Sequence, residues 1–270
     1  MPTIRKSPSY MIYLTFLLIS WTFPVIASDT AKEKRWQEQI VDSLMVGEAI
    51  TLKDKNGEFL GLYADASTPK VKGVAIILHG IGVHPNWPDV IFPLRTELPD
   101  KGWATLSIQM PILRNEATLK DYIPLLEESA PRINAAVNYL KSKNARNIVL
   151  ITHSLGAYMG TIYMTGQPHP ALRAFVAIGL GQSDLDPRFN NKKNMAKITT
   201  VPVLDIFGSQ DLDSVLKYAK QRKTNSQRNN KKYSQKEITG ANHFFVGMSD
   251  TLVKTISSWL TINVPEPATK

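Results

Sequence analysis

The run Ile148-Val-Leu-Ile-Thr-His-Ser-Leu-Gly156 carries the residue best placed for covalent chemistry. Its apolar part reads as a buried strand, and Ser154 stands where that strand would turn into a helix beginning at Leu155. The pattern Thr-His-Ser-Leu-Gly comes close to Gly-x-Ser-x-Gly, a strained strand-to-helix corner that holds a serine hydroxyl exposed. Small flanking residues are needed because strand and helix crowd that corner. Gly156 meets the need, whereas β-branched Thr152 has to fit a hydroxyl and a methyl group. The plain alternative is an ordinary glycine-containing helix start. A serine nucleophile also needs a base to take its proton and an acid to orient the base. Downstream, Ile238-Thr-Gly-Ala-Asn-His243 delivers His243 after a strand, and Val201-Pro-Val-Leu-Asp-Ile-Phe-Gly-Ser-Gln-Asp211 runs from a strand into a loop presenting Asp211. Asp213 lies two residues further on, Asp184 and Asp186 follow the preceding strand, and Asp205 within its strand should be interior.

The elements that must position these residues follow an alternating grammar. Apolar runs at Gly73–Leu78, Ala104–Gln109, Ile148–Thr152, Phe175–Gly179 and Val203–Phe207 read as parallel strands covered on both faces, with Ser234–Thr239 as a sixth. Between and after them, helices are predicted over Trp87–Lys101, Leu125–Asn144, Leu155–Thr165, Ser214–Arg222 and Thr251–Leu260, the last capped by Ser249 or Asp250. Ahead of them, Lys55-Asn56-Gly57 between Ala49–Leu52 and Phe59–Tyr63 signals an antiparallel hairpin. The whole implies a mostly parallel, doubly wound α/β sheet with helices on both faces and a ligand site at the carboxyl ends of its strands. Residues 28–46 form a polar helical segment, 47–262 a single domain and 263–270 a flexible tail.

Taken with His79-Gly-Ile-Gly82 through Trp87-Pro88, Gly102-Trp-Ala-Thr-Leu-Ser107, His153-Ser-Leu-Gly156 and Gly240-Ala-Asn-His243, the chain resembles an α/β-hydrolase-fold protein over nearly all of its mature length. It is most similar to an uncharacterised family of exported bacterial proteins of that fold. The resemblance implies Ser154 as nucleophile, His243 as base, and Asp211 as acid, because the family's Gly-x-x-Asp begins here at Gly208; Asp213 is the fallback. It also implies an oxyanion hole from the backbone amides of Leu155 and Ile81, the latter in the His-Gly loop after the first parallel strand.

The implied activity is that of an esterase-like serine hydrolase. Two other readings use the same residues: an acyltransferase, and a non-catalytic envelope-binding scaffold, which Thr152 invites. His84, at the site entrance, is a candidate substrate contact. His79 and His153 are expected to hold their own loops, and His169 between two prolines to be exposed. The substrate is expected to be a small-molecule or lipid-like acyl compound. Gln182–Thr200 is too short for a large lid, and Met110–Pro124 is a candidate flap.

Several chemistries are excluded. The absence of cysteine removes disulfides, thiolate metal sites and cysteine nucleophiles. Gly179-Leu-Gly181 lacks the third glycine of a dinucleotide fingerprint, and there is no His-Glu-x-x-His or Walker loop, so no cofactor or metal is expected. The net charge of +9 is unevenly distributed. Arg5 and Lys6 account for two charges, and eight more stand between Lys217 and Lys236 with no acid among them (Lys217, Lys220, Arg222, Lys223, Arg228, Lys231, Lys232, Lys236). That stretch reads as a solvated, mobile loop opposite the site, with an anionic envelope surface as a candidate partner and nucleic acid excluded. Residues 1–27 have the marks of a cleaved export signal: a basic start, an apolar run, and small residues before Ser28. Periplasmic or secreted location follows. The alternative is an N-terminal anchor, but the uncharged stretch Tyr10–Ala27 is shorter than the ~20 residues of a spanning helix; once it is cleaved no integral membrane segment is expected.

Overall fold

The computed structural model describes residues 3 and 27–265. The export signal expected over 1–27 therefore falls almost wholly outside the described residues. In chain order the elements are α1 (Thr30–Asp42), β1 (Glu48–Asp54), β2 (Gly57–Ala64), β3 (Gly73–Leu78), α2 (Ile91–Glu97), β4 (Trp103–Ile108), α3 (Leu126–Ser142), β5 (Ile148–His153), α4 (Leu155–Thr165), β6 (Leu172–Ile178), α5 (Asn191–Asn194), β7 (Val203–Gln210), α6 (Asp213–Asn229), β8 (Tyr233–Asn242) and α7 (Ser249–Asn263). The strands form one sheet in the order β1-β2-β4-β3-β5-β6-β7-β8. β1 and β2 pair antiparallel, β2 meets β4 antiparallel, and every pairing from β4 to β8 is parallel. Strand order reverses on either side of β3, so the loops after β3 and β5 part at a topological switch point, where α/β sheets open a crevice.

The core explains why the central strands read as continuous apolar runs. On β3, Val74, Ile76 and Leu78 face the layer holding α3 and α4, while Ala75 and Ile77 face α2 and α7. Both faces are dry, so no polar alternation is left. α1 docks on the β2 side, with Ile40 packed on Leu60 and Leu62. It is tied down by Arg132, whose Nη1 donates to Glu33 Oε2 and to the Gln109 carbonyl, each at 3.0 Å.

Several expected boundaries move for identifiable reasons. The hairpin forms, but its tip is Lys55-Asn56 and not Asn-Gly. Asp54 Oδ1 accepts from the Asn56 and Gly57 N–H groups, closing the turn one residue earlier. The helix predicted from Trp87 starts only at Ile91, because Pro88 and a left-handed Val90 (φ 61) occupy turns first. α7 begins after Met248 with no side-chain cap, and the segment assigned to a tail contributes Asn263 to the helix and Val264 to the core. Residues 266–270 lie outside the described ones.

The largest correction concerns the basic stretch. In place of a loop, α6 continues to Asn229, because Val215, Ala219, Arg222 and Ser226 recur at helical spacing and are all buried. Two of those four are polar, which hid the period. Arg222 is no surface charge: its Nε and Nη2 donate to Asp205 Oδ2 and Oδ1 at 2.6 and 3.1 Å, and Tyr233 Oη and Gln235 Nε2 donate to Oδ2. Asp205 is interior, as its strand position requires. The segment between β6 and β7 runs back along α6, held where Asn225 and Asn229 donate to the Lys192 and Ala196 carbonyls, so it leads away from the carboxyl edge of the sheet. Removing one partner of a buried ion pair strands the other charge, so Asp205→Ala is expected to lower unfolding free energy by about 3–5 kcal/mol in urea titrations.

Candidate active site

β5 ends at His153, and Ser154 makes the corner into α4 at φ 56 and ψ −121. Non-glycine residues rarely adopt positive φ, and such strain persists only where its surroundings over-determine it. Here they do. The Ser154 N–H donates to the Ile178 carbonyl of β6 at 3.0 Å, while the Ser154 carbonyl accepts from Ala157. A Cβ on Gly156 would stand 2.4 Å from the His79 carbonyl, so a side chain there is excluded. Thr152, the departure from the motif, is accommodated by a compensation in α4. Its hydroxyl donates to the Val176 carbonyl at 2.9 Å, and its methyl lies where a Cβ on Gly160 would come within 2.7 Å. The first glycine's missing space is supplied one helical turn away.

β8 and β7 bring the partners. His243 Nε2 lies 3.0 Å from Ser154 Oγ, and His243 Nδ1 lies 2.6 Å from Asp211 Oδ1. Asp211 also accepts from the Leu212 N–H at 2.8 Å and the Gly208 N–H at 3.3 Å, which aims its carboxylate. An ionised carboxylate only accepts, so Nδ1 carries the proton and Nε2 is left to accept from the serine hydroxyl. Of the acids weighed, Asp211 is the one placed here. Asp213 and Asp184 are exposed, Asp186 pairs with Arg188, and Asp205 with Arg222. Gly179, dismissed as part of a broken fingerprint, has a definite task. At φ 59, a Cβ on it would meet His243 Nδ1 at 2.9 Å and Asp211 Oδ2 at 3.5 Å, so its bareness makes room for the histidine–carboxylate pair. A glycine ending a predicted strand was the available signal.

His79 and His153 serve the frame. His79 is buried; its Nδ1–H donates to the Gly80 carbonyl at 2.9 Å while Nε2 accepts from the Met110 N–H at 2.9 Å. In a trans peptide the C=O and the following N–H point in opposite directions. Holding the Gly80 carbonyl back toward His79 therefore turns the Ile81 N–H the other way. The same loop reaches the serine, for a Cβ on Gly80 would lie 3.1 Å from Ser154 Cβ and 3.5 Å from Oγ. Ile81 is half-buried against the core, and Leu155 is the first residue of α4, where N–H groups have no acceptor within the helix. His153 donates from Nε2 to the His243 carbonyl at 3.0 Å, with ring centroids 4.9 Å apart, and so positions the residue opposite Ser154. His84 is wedged edge-on between Trp36 and Trp87, and its Nδ1 accepts from the Asn86 N–H.

Against this geometry, a family model described as protein of unknown function (DUF3530) matches residues 25–128 and 124–261. The chain belongs to this family. Comparison with curated proteins finds no match. Solved structures similar to this DUF3530 protein include an esterase from Pyrococcus furiosus, with a TM-score of 0.64 at 14% identity, covering 84% of this chain and 96% of that one. Dienelactone hydrolase from Anabaena variabilis superposes at 0.63 and 19%, covering 80% and 97%. An alpha-beta serine hydrolase homologue from Coxiella burnetii superposes at 0.60 and 18%, covering 81% and 99%. The fold is thus that of the α/β hydrolases. Among the described residues no group of His, Asp or Glu is arranged to hold a metal ion.

Burial keeps three histidines uncharged: His79 is pushed down to about 3, and His153 and His84 to about 4. Unfolded, each would titrate near its ordinary value of about 6.5. The unfolded chain therefore binds more protons in between, so stability is full above that value and falls as pH drops toward 4. Each such histidine contributes a slope of up to about 1.4 kcal/mol per pH unit. Urea midpoints measured from pH 7 to 4.5 should fall steeply, and His79→Gln should remove about one proton's worth of that slope.

Proposed function

We propose that the protein is a serine hydrolase of the cell envelope acting on an ester or related acyl bond. The reading is carried by the unbroken chain from Ser154 Oγ through His243 to Asp211, with separations of 3.0 and 2.6 Å. On substrate binding, Ser154 Oγ attacks the acyl carbon as its proton passes to His243 Nε2. Asp211 holds the resulting imidazolium without taking a proton. The oxygen that becomes negative is met by the Leu155 and Ile81 amides, the second oriented through His79. His243 then gives the proton to the departing alcohol oxygen, leaving Ser154 acylated. Water, deprotonated by His243 and adding to the same carbon, restores the serine and releases the acid. The fold shared with esterases supports a hydrolase, and the hydrogen bonds that link Ser154 to His243 and His243 to Asp211 support this division of roles.

A fluorophosphonate probe is expected to label the wild-type protein and not Ser154→Ala, and His243→Ala is expected to cost about 10³-fold or more in ester turnover. Labelling that survives the serine substitution would exclude Ser154, and a folded wild type that takes no label would favour the binding-scaffold reading.

Export is part of the same proposal. The Ser28 N–H lies 3.2 Å from Glu128 Oε1, and Ser28 Oγ accepts from Arg132 Nη2 at 3.2 Å. Were the chain to begin at Ser28, its α-ammonium would pair with Glu128. Terminal sequencing of protein recovered from an envelope fraction should read Ser-Asp-Thr-Ala; a start at Met1 in cytosol would contradict export.

A further inference from the structure

The turn that carries His243 exposes apolar surface beside the histidine at the expense of backbone strain. Asn242 Oδ1 accepts from the Phe244 and Val246 N–H groups at 3.0 and 3.2 Å, and the Asn242 carbonyl accepts from Phe245 at 3.1 Å. Phe245 sits at φ 52 and is only 2% exposed, packed in the core layer with α2 and α7. With Phe245 drawn inward, its neighbours turn outward: Phe244 is 45% exposed and Val246 62%. The Phe244 ring stands edge-on to His243, centroids 5.2 Å apart, and 6.1 Å from His153. The residue following Asp211 behaves alike, Leu212 being 51% exposed. Single exposed apolar residues need no explanation. These differ in that the immediate chain neighbours of the histidine and the carboxylate are both apolar and both in water, and in that a strained backbone holds one of them there.

Charge points the same way. Residues 79–83, 154–156, 179–183, 208–212 and 240–248 are the segments that carry or immediately flank Ser154, His243 and Asp211, and they contain no lysine or arginine; the candidate flap Met110–Pro124 carries Arg114 and Lys120. The one carboxylate of the flanking segments, Asp211, is spent on His243, Leu212 and Gly208. A phosphate or carboxylate near the scissile bond would find no cation in these segments, whereas a hydrocarbon chain would cover exposed rings and methyl groups. Burying such surface is favourable in proportion to its area.

Resting on the hydrolase reading above, we propose that Phe244, with Val246 and Leu212, forms an open shelf for the hydrocarbon chain of the acyl group. The substrate class is then a neutral ester of a medium- or long-chain fatty acid. A flat shelf favours length without selecting one length, since nothing among these residues closes its outer end.

The test compares p-nitrophenyl acetate, butyrate, octanoate and the monoanionic succinate ester on wild type, Phe244→Ala, Phe244→Leu, Phe244→Ala/Val246→Ala and Ile262→Ala. All substituted side chains are exposed, and thermal melts check that each variant is folded. In wild type, kcat/KM should rise by roughly 10-fold or more from acetate to octanoate, and the succinate ester should be turned over roughly 10-fold less well than butyrate. Phe244→Ala should lower the octanoate-to-acetate ratio by roughly 10-fold, chiefly through KM; the leucine variant should recover most of it, and the remote Ile262→Ala should keep the wild-type ratio. A flat or acetate-preferring wild type, an unchanged ratio in the double variant, or equal use of the succinate ester would each overturn the shelf. Fluorophosphonate labelling separates the failures. If Ser154 takes the probe while chain length has no effect, the shelf alone is wrong; if wild type neither labels nor hydrolyses any ester, the hydrolase reading fails and the shelf with it.

Discussion

Ser154 is held at φ 56 and ψ −121 between a strand buried on both faces and a helix that starts at the next residue. A serine does not adopt that corner unaided, and holding it costs on the order of 1–3 kcal/mol. The surrounding structure is arranged to meet this cost. Gly156 clears the His79 carbonyl, Gly160 clears Thr152, Gly80 lets the neighbouring loop approach the hydroxyl, and the Ile178 carbonyl takes the serine's own N–H. These concessions are spread over α4, the loop after β3 and the end of β6, so the corner can form only once the sheet and α4 are assembled. The hydroxyl is then fixed where β7 and β8 deliver Asp211 and His243.

A second principle governs the polar groups around the corner: histidines are used as uncharged ties. His79 joins the loop after β3 to the chain after β4, and His153 joins β5 to the loop after β8. Each imidazole has one donor and one acceptor in fixed directions, which lets it orient a peptide plane in a dry interior at no cost in charge. His243 differs because its outer nitrogen meets a hydroxyl and its inner one a carboxylate. The imidazoles that hold the frame and the one that can shuttle a proton are thus separated by their partners, although they belong to one cluster.

Much of this was legible in the sequence. Five apolar runs with helical segments between them place a doubly wound sheet, because strands covered on both faces lose polar alternation. The order Ser154, Asp211, His243, each after a parallel strand, places all three on one edge. What escaped was decided by side chains whose environment the sequence does not announce. α6 was cut short because Arg222 and Ser226 stand on its buried face, and a polar residue reads as exposed until Asp205 is seen beside it. Gly179 read as a failed nucleotide motif because its function depends on a histidine more than sixty residues away. The tight turn at Pro88 and Val90 likewise overrode the amphipathic period that suggested an earlier start for α2.

By itself, then, the sequence determined the fold class, the strand carrying the serine, and the short set of acids and histidines from which its partners would come, because periodicity and motif spacing are local properties. The tertiary structure alone decided how Thr152 is tolerated, which peptide planes the buried histidines hold, and that Phe244 faces outward while Phe245 faces inward. Those outcomes turn on distances of about 3 Å between residues far apart in the chain, and on a left-handed backbone at Phe245 that only a completed core can hold in place.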